Sequence, residues 1–246
     1  MKAVLKTYTA DLHVHTTLSP CAERQMVPEQ VFARAIKAGI DVLAITDHNS
    51  TWNLPAFLRH CPPGLWVIPG MEVQTKEEIH LVCLFPELDA AMEWGRKVRT
   101  LLPSVKNKKT YFGSQTILDG NGKPRGEEEL LLLNSIPLSL GETVFQVRRL
   151  GGVIYPAHID RSAFSIISQI GFLPPSPTFT ALEISPRVPL AKLRQQYPEH
   201  TLIRASDAHA LEQIGGKPSR LIMAELHWEE FLLALNQQEQ RKVIAN

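Results

Sequence analysis

Nothing in this 246-residue sequence approaches the roughly 20 consecutive apolar residues of a membrane-crossing helix, so no membrane partner is expected. Cysteine is scarce. Cys21, Cys61 and Cys83 are odd in number and widely spaced, which argues against a disulfide scaffold and for a reducing compartment. Met1 to Ala10 carries Lys2 and Lys6 but no apolar stretch of signal-peptide length, so the expectation is a soluble, cytoplasmic protein. Charge of one sign is also missing. Lys plus Arg number 26 and Asp plus Glu 25, a formal net charge of +1. No whole-molecule field gathers nucleic acid, so nucleic acid is not favoured as a partner, although a local basic patch remains compatible with this balance. Internal repeats and low-complexity tracts are absent from the sequence as well.

What is present is apolar residue enough, at 44%, to fill a sizeable core over a length that suits one α/β domain. Short β-like runs alternate with amphipathic helical patterns. Strands are expected at Thr9–Val14, Asp41–Thr46, Trp66–Ile68, Ile79–Phe85, Val153–Ala157, Ala181–Ile184, Thr201–Ala205 and Leu221–Leu226. Helices are expected at Pro28–Ala38, Asp89–Leu102, Glu127–Leu133, Leu138–Leu150, Ser162–Ile170, Leu190–Tyr197 and Trp228–Gln237. Pro103 to Gly126, with its lysines and glycines, reads as an insertion or lid. Such alternation argues for parallel strands with crossover helices, and the strand number favours a closed barrel over an open sheet, with its site at the strands' C-terminal ends.

Polar clusters fall at those ends. His13 and His15 are two apart in a strand, so both imidazoles can face one ion; two ordinary hydrogen-bonded histidines give the same pattern. Asp47 and His48 follow the apolar run Val42–Ile45, where Asp47 either orients a histidine or caps a turn. Glu72 lies among apolar neighbours and is able to bridge two cations; taken alone it is equally a charge at a strand edge. His80 sits in a buried-looking strand, where a satisfied core histidine is the plainer reading. His158 follows Val153–Ala157, and Asp207 and His209 repeat the two-residue spacing after Thr201–Ala205. Each cluster is weak singly. Five of them at strand ends point together to a metal site, and imidazole with carboxylate suits zinc, manganese or iron.

In order along the chain, Asp11-Leu12-His13-Val14-His15-Thr16, Thr46-Asp47-His48-Asn49, Gly70-Met71-Glu72, His80, His158 and Ser206-Asp207-Ala208-His209 resemble the motifs of the PHP (polymerase and histidinol phosphatase) superfamily. The resemblance implies a distorted (β/α)7 barrel as a single domain over 1–246 with an insertion at 103–126, and a metal-dependent phosphoesterase built on a trinuclear centre. It implies that His13, His15, Glu72 and Asp207 hold one divalent ion, that Glu72, His80 and His158 hold a second, and that His48 and His209 hold a third. Catalysis would centre on Glu72, His158 and Asp207, and a metal-bridging hydroxide would attack phosphorus. Where relatives often place a His or Asp after the HxH pair, this chain offers Cys21, either as a thiolate ligand or as a bystander beside a weak third site, so the expectation is two or three ions.

Arg161 and Arg24 are candidates to grip phosphate, with a solvated surface role as the alternative for each. Lys106, Lys108 and Lys109 read first as solvated charge and second as a guide for an anion. The expected substrate is a small phosphorylated metabolite or nucleotide. The alternatives are an amidohydrolase-type metal hydrolase, against which stands the lack of a lysine at the strand ends, and a non-catalytic metal-binding regulatory module.

Overall fold

Strand β1 (Lys6–Val14) opens the described chain, which in a computed structural model covers residues 4–186 and 188–245. Met1 to Ala3, Arg187 and Asn246 lie outside the described residues, Lys2 of the N-terminal reading among them. In chain order there follow α1 (Pro28–Lys37), β2 (Val42–Ile45), α2 (Leu54–Arg59), β3 (Trp66–Gln74), β4 (His80–Leu84), α3 (Leu88–Leu101), α4 (Lys109–Phe112), β5 (Thr116–Leu118), β6 (Pro124–Glu127) and α5 (Leu140–Arg149). The chain continues with β7 (Val153–Pro156), α6 (Ile166–Ile170), β8 (Ala181–Ile184), α7 (Leu190–Gln196), β9 (Thr201–Arg204), β10 (Ser219–Met223), α8 (Trp228–Leu235) and β11 (Lys242–Ile244). No helix among the described residues is long and apolar enough to cross a membrane.

A seven-stranded sheet runs in the order β11-β10-β1-β2-β3-β4-β7. The separate parallel pair β8-β9 packs against β7 on one side and β11 on the other, curling the whole into a distorted α/β barrel. The strands bury both faces, which is why β2 reads as an unbroken apolar run. Its side chains alternate between two cores: Leu43 and Ile45 join α1, α2, α3, α5, α6 and α7, whereas Val42 and Ala44 join the core that α8 supplies with Trp228, Phe231, Ala234 and Leu235. Gly70 is required in β3, because a Cβ there would lie 2.7 Å from the Cys83 carbonyl oxygen and 2.9 Å from Thr46 Cγ2.

Two expectations about local structure are corrected. The sheet is mixed rather than parallel. Only β1-β2-β3 and β8-β9 run parallel, while β3-β4, β4-β7, β1-β10 and β10-β11 are antiparallel. The reason is that β3 extends to Gln74 and returns almost at once as β4, leaving no length for a crossover helix. Glu128 to Leu133 is not helical either. The buried Gln115 side chain holds it extended, donating from Nε2 to the carbonyls of Glu128 (2.8 Å) and Leu130 (2.7 Å) and accepting at Oε1 from Leu132 N–H (2.9 Å). Within 103–126 the chain forms α4 and the β5-β6 hairpin, tied to the body by Thr116 N–H donating to the Thr17 carbonyl at 2.8 Å.

Candidate metal centre

Strand ends deliver the polar groups. The end of β1 carries His13 and His15, the turn after β2 carries Asp47 and His48, β3 carries Glu72, and β4 begins with His80. His158 follows β7, and Asp207 and His209 follow β9. Two of these side chains leave a backbone in the left-handed region: His158 at φ 30° and Asp207 at φ 51°. Such strain persists only where the surrounding structure enforces it, and it concentrates at functional sites.

Glu72 is the hub and is buried. Its Oε1 lies 3.0 Å from His80 Nδ1, 3.2 Å from His158 Nε2 and 3.4 Å from His13 Nε2. Its Oε2 lies 2.8 Å from His48 Nδ1 and 3.6 Å from His15 Nε2. Asp207 Oδ1 stands 3.1 Å from His15 Nε2 and 3.3 Å from His13 Nε2. Three overlapping groups offer ligand atoms all within 4.8 Å of one another: His13, His15, Glu72 and Asp207; His48, Glu72 and His80; and His15, His48 and His209.

Hydrogen bonds behind the rings decide which nitrogens face inward. His13 Nδ1–H donates to the Glu183 carboxylate at 2.9 and 3.0 Å, leaving Nε2 to point at the cluster. Ser19 Oγ–H donates to Asp47 Oδ1 at 2.6 Å, so the same oxygen accepts from His15 Nδ1–H at 2.9 Å, and His15 also turns its Nε2 inward. Gln74 Oε1 takes His80 Nε2–H at 3.1 Å while its amide donates to Ser135 Oγ at 2.8 Å, leaving His80 Nδ1 facing Glu72. His13 Nε2 and His15 Nε2 meet at 3.1 Å. The inward nitrogens of His13, His15 and His80 thus converge with His48 and His158 on the Glu72 and Asp207 carboxylates. Only cations relieve that arrangement, so the donor set fits divalent metal.

In the metal-free protein, protons take that role. Burial opposes charge on His13, but the carboxylates of Glu183, Asp207 and Glu72 hold its pKa well above the usual value. His48, likewise buried, is raised to about 10 by Glu72 and Cys21. Burial also works against the Glu72 and Asp207 anions, yet the surrounding histidines keep both well below the carboxylate range. His15 is pushed the other way by burial and by His209 and His48. Despite the cost of burial, contacts from His209 and His48 lower the Cys21 thiol to about 6.

Cys21 therefore stands beside His48 and His209 as the first exposed residue after the buried stretch Thr16 to Pro20. Asp47 touches no imidazole and reaches His15 through Ser19. Arg161 Nη1 donates to Asp207 Oδ2 at 2.5 Å and lines a cavity of about 550 Å³ with His48, Glu72, His158 and Phe164. Arg24 is not brought there. It is exposed and lines a different groove with Lys109. Sequence reasoning missed Glu183, which braces His13 and accepts from His158 N–H at 3.2 Å; its signal was one carboxylate inside the otherwise apolar β8. It also missed Ser19 and Gln74, which nothing in the sequence marks out.

An α/β barrel with this donor set at its strand ends defines a metal-dependent hydrolase. The PHP domain model matches residues 11–132, so the chain carries a PHP domain. It is 39% identical over 80 residues to the 5'-3' exoribonuclease Rnm of Salmonella typhimurium, an alignment covering 30% of this chain and 26% of that protein. The chain thus spans about a quarter of the length of that relative. The fold is shared with the lesion-specific endonuclease PfuEndoQ of Pyrococcus furiosus, with a TM-score of 0.76 and 19% identity over 97% of this chain and 58% of that one. It is shared too with an Endonuclease Q solved in complex with a 27-mer duplex, with a TM-score of 0.74 and 19% identity over 96% of this chain and 58% of that one. These relatives overturn the expectation of a small phosphorylated substrate with nucleic acid disfavoured. That expectation rested on the charge of the whole chain, an average that says little about the charge around one cleft.

Proposed function

We propose that this chain is a metal-dependent phosphoesterase that hydrolyses phosphodiester bonds of nucleic acid. The observation that carries the reading is the convergence of imidazole nitrogen and carboxylate atoms around Glu72, at the floor of an open cavity with a guanidinium on its wall. In this reading His13, His15, Glu72 and Asp207 hold one ion, Glu72, His80 and His158 a second, and His48, His209 and Cys21 a third, the ions being zinc, manganese or iron. When bound, the ions supply a nucleophile at neutral pH and neutralise charge on phosphoryl oxygens.

The chain's own residues orient and bind. Glu183 and Ser19 keep the His13 and His15 lone pairs turned inward. Asp207 holds Arg161 at the cavity wall, where its remaining donors take a phosphate oxygen. The names of the exoribonuclease and endonuclease relatives support nucleic acid as the substrate class. Free thiols at Cys21, Cys61 and Cys83 suit a cytoplasmic location.

The test combines elemental mass spectrometry of the purified protein with incubation of end-labelled single-stranded RNA and DNA in the presence of manganese or zinc. Two to three equivalents of metal and shortened oligonucleotides are expected, and Cys21→Ala should lose about one equivalent. A protein that takes up no metal, or that is loaded and cleaves neither polymer, refutes the proposal.

A further inference from the structure

The wall of the same cavity carries a side chain that metal binding does not explain. Phe164 is 41% exposed, and unlike the other exposed rings of the chain it lines the cavity that holds Glu72. One side of the ring is already occupied: it stacks on His80 with centroids 4.8 Å apart and planes 13° from parallel. The rest of it faces the cavity lined by His48, Glu72, Arg161 and Asp207. Its backbone sits at φ 58°, a conformation disfavoured for any residue with a Cβ and more so for a bulky one.

That conformation is fixed from several sides. The Phe164 carbonyl accepts from His80 N–H at 2.8 Å, tying the loop to the first residue of β4. Ser165 Oγ donates to the Arg161 carbonyl at 2.7 Å, closing the turn behind the ring, and Ser165 and Ser168 form the capping box that starts α6. The backbone is therefore fixed and the ring stacked on His80 before any ligand arrives, which lowers the entropy lost on binding. Its neighbour Arg161 is fixed on Asp207 in the same turn.

Resting on the nucleic-acid reading above, we propose that Phe164 is the platform on which the nucleobase next to the scissile phosphate stacks. Phe164 lines the same cavity as Glu72, Arg161 and Asp207, and its stacking partner His80 lies 3.0 Å from Glu72, so the ring stands one side chain away from the cluster. A phosphate at the cluster beside Arg161 sets its own base over Phe164. Stacking of this kind tolerates every base, because each has a π-face, so the contact selects a nucleotide without selecting its sequence.

The experiment compares a single-stranded RNA pentamer with the same pentamer carrying an abasic residue beside the cleaved bond. For the wild type, removing the base should raise KM on the order of tenfold. Phe164→Ala and Phe164→Leu should abolish that difference, and Phe164→Tyr should restore it. In metal-free protein, a pentamer with 2-aminopurine at that position should be quenched on binding to the wild type and to Phe164→Tyr, and not on binding to Phe164→Leu. If the alanine and leucine variants, folded by circular dichroism, discriminate against the abasic strand as the wild type does, the platform is wrong while the nuclease reading stands. If the metal-loaded wild type cleaves no oligonucleotide, the nuclease reading falls and the platform with it.

Discussion

Replacing Glu183 by glutamine exchanges one oxygen for an NH₂ group and should weaken metal binding far more than it weakens the fold. The carboxylate is 1% exposed and performs two tasks: both oxygens receive His13 Nδ1–H, and Oε1 also receives His158 N–H. A glutamine keeps the volume but has only one acceptor oxygen. If that oxygen stays with His158 N–H, the NH₂ group faces His13 Nδ1 and favours the tautomer protonated on Nε2, which removes the inward lone pair. If it turns to His13, the His158 amide loses its partner, and the ring still loses a charged acceptor that made it more basic. Changes to such supporting partners typically lower metal affinity about 10- to 100-fold, which corresponds to about 1.4–2.8 kcal/mol. At constant free metal, this range lowers Tm by roughly 3–11 °C for a chain of this size. Competition against a chromophoric chelator measures the affinity, and thermal melts with and without chelator separate metal loss from damage to the fold. An affinity within twofold of the wild type would show that Glu183 does not set the orientation of His13, and the tautomer argument would fail.

Three further outcomes are expected. Arg161→Ala should raise KM for an oligonucleotide about tenfold or more, because a charge-assisted contact to phosphate is lost, and steady-state kinetics showing an unchanged KM would remove the residue from the site. Metal-free protein should melt at progressively lower temperature as pH rises above about 6.5, since His13, His48 and His209 are all raised in the fold and their contributions, complete below the unfolded pKa, are lost as pH climbs, with the lowered Cys21 thiol offsetting one of the three up to about pH 9. On the acid side the same melts should fall below pH 6.5, where the unfolded chain takes up protons that His15 and His80 refuse in the fold, and again as Glu72 and Asp207 are forced to protonate. Gly113→Ala should detach the 103–126 segment, because a Cβ there would lie 1.9 Å from the Pro20 carbonyl oxygen at φ 98°, and limited proteolysis should cut the variant near α4 sooner than the wild type.

The barrel and the strand-end location of the polar groups were legible because both follow from local pattern. His13 and His15 share a face by the period of a strand, and the unbroken apolar run of β2 announces burial on both sides. The strand directions were not legible. Whether β3 returns as β4 depends on five residues, Thr75 to Glu78 and Ile79, whose turn places Glu78 at φ 60°, and no periodicity records that. The helix expected after Glu127 failed because one distant side chain, Gln115, outbid helical propensity with three backbone hydrogen bonds. Glu183 and Phe164 escaped notice for a related reason. Each acts on a ring from another strand, and a single residue has no spacing to reveal a partner far along the chain.

The left-handed backbones at His158 and Asp207 also bear on how metal leaves. Asp and His tolerate that region better than most residues, and here the neighbouring β8 and β1 fix it through Ile159 N–H to the Glu183 carbonyl at 2.9 Å and Ala208 N–H to the His13 carbonyl at 3.3 Å. When those strand ends open, both residues relax to ordinary φ values and their side chains swing off the cluster together. Dissociation of metal is then gated by fraying of the strand ends, and its rate reports hydrogen exchange at Ile159 and Ala208.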